Sequence, residues 1–404
     1  MVRPIYSGKL RGLGRIGSPN RRLRKEQGFE MKNKQPSWVN EVIQPYVSTI
    51  PPYVPGKPVA EVQRELGIKK AIKLASNENA LGPSPMAVAA IRKQVLGAHI
   101  YPESSAPDLR LKIAEKYSVG SDNVILGNGS DEIMQMLAHV FLTTQDEAII
   151  AENSFSMYRI VTRLFGAKPV FIHLKSYHLD LEATLDAVTD STRIIFLASP
   201  NSPTGTIITK KQLDNFLKEL ESRKVIVVFD EAYAEYVNSP KAANGIPYVS
   251  KYPNVIVLRT FSKIYGLAGL RVGYGLAQKW MIDLLNRVRA PFNVNLLAQA
   301  AAVAALDDNE HVRRSLEMNS SGMAFVSSAL EDFGFEVIPS QANFLTFAPT
   351  LDAGMVYDEL LKKGIIVRRL ASFGMPSYIR VTIGTESQNE AFINKLRLII
   401  NEKK

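Results

Sequence analysis

The chain has 404 residues, 46% apolar and 22% charged, which is enough to bury a large core and excludes a disordered protein. Cysteine is absent, so disulfide frameworks, thiolate metal sites and cysteine nucleophiles are excluded, and the five histidines fall in no metal-ligand spacing. The net charge of +10 is uneven: residues 1–30 hold eight lysines and arginines against two glutamates, a net +6, leaving +4 for the rest.

That basic tail (1–30) is rich in Gly and Arg, and Met31 offers a second start after it. A disordered or upstream-start segment is the favoured reading, with a targeting segment and a polyanion-binding arm standing open beside it. Gly12, Gly14 and Gly17 spell the dinucleotide fingerprint, but Pro4 before them and Ser18-Pro19-Asn20 after them supply neither the strand nor the helix it requires. The tail is too short for a helix-turn-helix head, so no nucleic-acid partner is expected. With no run of 18 apolar residues and no secretory signal pattern, the expectation is a cytoplasmic protein without a membrane partner.

Residues 31–75 read as an N-terminal segment contributing to a small domain, 76–294 as a large domain, and 295–404 as the rest of the small one. Between about 120 and 280, short apolar runs end in Gly, Asn, Asp, Ser or Pro and lead into helix-like stretches. The runs are 124–126, 148–151, 194–198, 225–229, 255–258 and 272–276. Continuous apolar runs suit strands covered on both faces, and Ile133, Met136, Leu137, Val140 and Phe141 give the matching helical face. The fold class predicted is α/β, a mainly parallel, doubly wound sheet whose ligands sit at the carboxyl ends of its strands.

The polar residues fall at those ends. Gly127-Asn128-Gly129-Ser130-Asp131-Glu132 joins the first run to its helix, where free backbone N–H groups, a hydroxyl and the helix head favour an anion; a plain N-cap explains it equally well. The 225–229 run ends in Asp230-Glu231-Ala232-Tyr233, where a carboxylate can pair with a pyridinium nitrogen or cap the next helix. Thr260-Phe261-Ser262-Lys263 follows the 255–258 run and precedes Arg271 by eight residues. A lysine there can be desolvated and its amine made nucleophilic, as covalent attachment to an aldehyde requires. After 295 the pattern is helical, with late strand candidates at 343–347 and 378–383.

These motifs, with Pro200-Asn201-Ser202-Pro203-Thr204-Gly205, resemble in order and separation those of fold-type-I pyridoxal-phosphate aminotransferases. Tyr53-Val54-Pro55-Gly56-Lys57-Pro58, Lys73-Leu74-Ala75-Ser76-Asn77-Glu78-Asn79, Arg289-Ala290-Pro291-Phe292-Asn293 and Ile379-Arg380-Val381-Thr382 narrow the resemblance to the histidinol-phosphate aminotransferases, over roughly residues 40–400. The resemblance implies a pyridoxal 5'-phosphate cofactor anchored on Lys263, its ring nitrogen on Asp230, its phenolic oxygen on Tyr233, and Phe155 stacked on the ring. Ser130, Asp131, Ser262 and Arg271 would hold the phosphate, with Tyr101 from the partner of a homodimer. Relatives often place Asn where Ser202 stands, so Asn201 and Ser202 both remain candidates for the phenolic oxygen. For substrate it implies Arg368 and Arg380, Asn343, and Tyr53 reaching from the partner.

The implied reaction moves the amino group of L-histidinol phosphate to 2-oxoglutarate. An aromatic-amino-acid aminotransferase or a phosphothreonine-type decarboxylase on the same fold are the alternatives.

Overall fold

The computed structural model describes residues 36, 38–53 and 55–403; the basic tail and its glycine fingerprint lie outside them. By internal contacts the chain divides into residues 1–44 and 45–404. Within the first, the described residues form one short helix, Val39–Val42.

The second unit is built on a seven-stranded sheet. Its strands are β1 (Val124–Gly127), β2 (Glu147–Ala151), β3 (Lys168–Ile172), β4 (Thr192–Ala198), β5 (Ile226–Asp230), β6 (Val255–Thr260) and β7 (Gly273–Leu276). Their order is β1-β7-β6-β5-β4-β2-β3, parallel except that β7 runs against both β1 and β6. The apolar runs became strands because both faces are covered. Ile149, Ile195, Val227 and Val257 enter one core layer, while Ile150, Ile194, Phe196, Val228 and Ile256 enter the other. β3 was not among the predicted runs: it is an edge strand with Lys168 and Phe171 exposed and Pro169 inside it, so it lacks a buried strand's signature. β5 and β7 start one residue later than the runs suggested.

A second, antiparallel sheet comes from the chain's last third: β8 (Glu336–Ile338), β9 (Phe344–Ala348), β10 (Arg368–Arg369) and β11 (Ile379–Thr382), in the order β10-β11-β9-β8. It has its own core, in which Leu345, Phe347 and Val381 meet Val326, Phe392 and Leu396 of two long helices, Asn309–Asp332 and Glu386–Lys403. Ile72–Lys73 pairs in parallel with Ile365–Ile366 and so carries the early segment to this sheet. We propose the two-core division as a subdivision of the 45–404 unit, with a later boundary than 294/295. Helix Leu296–Ala305 buries Ala298, Ala301, Ala302 and Ala305 in the large sheet's core.

Candidate active site

The carboxyl ends of β4, β5 and β6 open into a cavity of about 250 Å³. Ten of the residues singled out in the sequence line it: Tyr53, Ser130, Asp131, Phe155, Ser202, Asp230, Tyr233, Ser262, Lys263 and Arg271. Five do not: Asn201, Asn343, Arg368, Arg380 and Tyr101.

Asp230 is the last residue of β5 and only 5% exposed. Its carboxylate accepts the Tyr158 hydroxyl at 2.6 Å and the Ala232 N–H at 3.1 Å, two neutral donors. Burial therefore dominates and pushes its pKa up to about 6. A ligand bringing a positive charge to this carboxylate would relieve that cost. Lys263 lies three residues beyond the end of β6; its Nζ reaches the Ser76 carbonyl at 3.4 Å and sits 5.5 Å from the centre of the Tyr233 ring. Tyr233 accepts a 2.8 Å bond from Asn77 Nδ2, which fixes the direction of its hydroxyl.

One end of the cavity is the head of α1 (Ser130–Phe141). Gly129 before it has φ +79°, which turns the chain so that the first helical N–H groups are free. Arg271, itself in the left-handed region, donates from Nη2 to the Asp131 carboxylate at 3.1 Å. A Cβ on Gly129 would clash with Arg271 Nη2. Gly129→Ala is thus expected to displace that guanidinium, to cost roughly 1–3 kcal/mol because φ +79° with ψ 166° is a conformation only glycine adopts readily, and to weaken anion binding at least about tenfold. Thermal denaturation and titration with a phosphate-bearing ligand check both.

Asn201 and Ser202 are distinguished by their contacts. The Asn201 side chain accepts from Ser154 Oγ at 2.7 Å and donates to the Asn153 carbonyl and Thr204 Oγ1, both at 3.0 Å, so it is engaged outside the cavity. Ser202 faces in and accepts from Arg380 Nη1 at 3.0 Å. Arg380 is buried behind it, with Nη2 on the Ala75 carbonyl, its guanidinium over the Phe344 ring, and Nε without a partner. Burial lowers its pKa to about 10. Arg368 is its cross-strand neighbour and lies over the Phe373 ring. Asn343 donates to the Asn77 carbonyl at 3.0 Å, while its Oδ1 is buried without a partner.

Tyr53 lines the cavity of its own chain, whereas the sequence reading has it reach from a partner. Tyr101 is 79% exposed, stacked on Phe292, and outside this cavity. Two residues are given no role by the sequence: Tyr158, the donor to Asp230, and Asn77, the donor to Tyr233. Tyr158 was findable in principle, since it follows Phe155 by one helical turn at the head of α2 (Ser156–Leu164).

The cavity therefore presents a primary amine, a buried carboxylate, an aromatic face at Phe155, and a hydroxyl, N–H and guanidinium cradle for an anion. This set fits pyridoxal phosphate, which carries an aldehyde, a basic ring nitrogen, a flat ring and a phosphate. Residues 69–396 match the model of the aminotransferase class I and II family. Histidinol-phosphate aminotransferase of Moorella thermoacetica is 48% identical over 88% of this chain and 92% of its own, and that of Caldicellulosiruptor saccharolyticus is 46% identical over 88% and 99%. The crystal structure of histidinol-phosphate aminotransferase from Sinorhizobium meliloti in complex with pyridoxal-5'-phosphate superposes with a TM-score of 0.83 at 25% identity, covering 90% of this chain and 98% of that one. Sequence, fold and cavity agree, and the chain belongs to the class I and II aminotransferases, within the histidinol-phosphate aminotransferase family.

Proposed function

We propose that the protein transfers the amino group of L-histidinol phosphate to 2-oxoglutarate, giving 3-(imidazol-4-yl)-2-oxopropyl phosphate and L-glutamate, with pyridoxal 5'-phosphate in the cavity. The observation that carries this reading is the meeting of Lys263, Asp230 and the Ser130–Ser262–Arg271 cradle in one cavity, with Arg380 behind Ser202. When bound, the cofactor supplies an aldehyde that takes up an amine and a ring that accepts electrons.

The chain's residues divide the remaining work. Lys263 Nζ would hold the cofactor by its aldehyde carbon and, as a free amine, would carry the proton from the carbon bearing the substrate amine to that aldehyde-derived carbon. Asp230 holds the ring nitrogen in its protonated form. Tyr233 and Ser202 donate to the phenolic oxygen, Ser202 being freed for this because its own oxygen accepts from Arg380. Phe155 packs on the ring and keeps water from that face. Ser130, Asp131 backbone groups, Ser262 and Arg271 hold the phosphate.

Arg380 and Arg368, with Asn343 and Tyr53, would take the substrate phosphate and, in the return half-reaction, a carboxylate of 2-oxoglutarate. A planar guanidinium serves both anions, and the free Arg380 Nε is a donor still in want of an acceptor. Arg380→Lys, which keeps the charge and loses the fork, is expected to raise KM for histidinol phosphate about 10- to 100-fold with a smaller change in kcat. An unchanged KM would move the anion site elsewhere.

A homodimer in the cytoplasm completes the reading. Tyr101 stands exposed, stacked on Phe292 and next in sequence to the exposed Ile100, apolar groups suited to a second copy that would bring Tyr101 to its neighbour's phosphate. A monomer mass in analytical ultracentrifugation at assay concentration would overturn that part. Among the described residues no helix is long and apolar enough to cross a membrane.

The deciding experiment follows the visible absorbance of the cofactor-loaded protein as L-histidinol phosphate, phenylalanine or phosphothreonine is added. Bleaching by histidinol phosphate at low concentration is expected. Bleaching by phenylalanine alone would shift the substrate to aromatic amino acids, and carbon dioxide release from phosphothreonine would make the protein a decarboxylase.

A further inference from the structure

The backbone ladder joining β5 to β6 ends at the site. Its last paired residues are Asp230 and Leu258, followed by one bond from the Glu231 N–H to the Leu258 carbonyl at 2.9 Å. β6 pairs with β7 on its other edge from Val257 to Thr260, so from Arg259 onward only that edge is paired. Yet the proposed chemistry needs groups from both strand ends at a fixed separation: Asp230 from β5, and Ser262 with Lys263 from beyond β6.

A side-chain pair crosses the gap the ladder leaves. Arg259 directs Nε and Nη2 to Oε2 of Glu231 at 3.0 and 2.7 Å, and the other carboxylate oxygen accepts the Gly245 N–H at 2.7 Å. The guanidinium is held in turn by Tyr117 Oη at 3.2 Å and lies over the Tyr117 ring. Both side chains are buried, at 2% exposure for Glu231 and 10% for Arg259. Each is adjacent in sequence to a cavity-lining residue, Asp230 or Thr260, but neither lines the cavity itself.

We propose that Arg259 and Glu231 are positioning residues, a clamp beneath the site that sets the separation between the carboxylate at the ring nitrogen and the lysine at the aldehyde carbon. The inference rests on the proposed cofactor. Two N–H groups converging on one oxygen define a direction as well as a distance, which a lysine ammonium at the same place cannot do. Catalytic groups lose much of their rate when displaced by about an ångström, and the clamp opposes that displacement beyond the last backbone bond between the two strands, from Glu231 to Leu258.

The test is Arg259→Lys in the cofactor-loaded enzyme, with charge retained to protect the fold. The expected result is a bound cofactor whose visible absorbance titrates at a displaced pH, with kcat reduced about tenfold or more and KM for the amino donor nearly unchanged. If Arg259→Lys does not fold, Glu231→Met with Arg259→Met replaces the buried pair by apolar side chains, a change proteins often tolerate, and is read the same way. A folded variant of either kind with wild-type kcat and a wild-type absorbance titration would overturn the clamp. Wild-type protein that binds no pyridoxal phosphate would instead sink the proposed function, so the two failures are distinct.

Discussion

Lys263→Ala is expected to lower kcat by at least about 10⁴-fold, the largest effect of any single substitution in the chain. Two jobs meet in this one amine. It is the primary amine lining the cavity at the end of β6, over the Tyr233 ring and within 3.4 Å of the Ser76 carbonyl, and that placement suits both holding an aldehyde and reaching the carbon next to a substrate amine. Alanine removes the covalent anchor and the proton carrier together, so neither can compensate for the other. The phosphate cradle, Asp230 and Phe155 remain, and the variant should still bind the cofactor without fixing it covalently. Borohydride treatment followed by peptide mass analysis distinguishes the cases: the wild type should carry the reduced cofactor on the Lys263 peptide, and the variant on none. Label on another lysine, or turnover within about tenfold of wild type, would remove Lys263 from its role.

Much of this site could be read along the chain because it sits where parallel strands end. Asp230 closes an uninterrupted apolar run and Lys263 follows another, and strand pairing brings their neighbourhoods together without further information. What could not be read were contacts made between distant segments. Arg380 reaches Ser202 across 178 residues, and Asn77 reaches Tyr233 across 156; no local periodicity encodes such partners. The choice between Asn201 and Ser202 was equally invisible, since it depends on Ser154 and Thr204 occupying the amide. In the fold, the exposed edge strand β3 and the two-residue pair at 72–73 and 365–366 lacked any buried run to announce them. The later boundary proposed for the two cores was not legible because Leu296–Ala305 is almost entirely small apolar residues, a pattern that does not say which core it joins.

Asp230→Asn separates the electrostatic role of the carboxylate from its shape. Folding without the cofactor raises the Asp230 pKa from 3.8 to about 6, because burial outweighs the bond from Tyr158. The stability this group contributes is fully present below about pH 4, where it is protonated folded or unfolded, and is lost as pH rises through about 6, since the unfolded chain releases the proton first. Asparagine cannot titrate, so the cofactor-free variant should lack this loss and be more heat-stable than wild type at about pH 8. Cofactor binding reverses the sign: a protonated ring nitrogen needs the ionised carboxylate, so wild-type affinity for pyridoxal phosphate should rise as pH increases through about 6, while that of the variant stays flat across the same window. Turnover should fall about 10³-fold, because the amide leaves the ring nitrogen without its counter-charge. Thermal denaturation and cofactor titration between about pH 5 and 8 measure both slopes. A variant keeping the wild-type pH dependence of cofactor affinity would mean that the titrating group is elsewhere, and one keeping wild-type turnover would mean that Asp230 serves the fold alone.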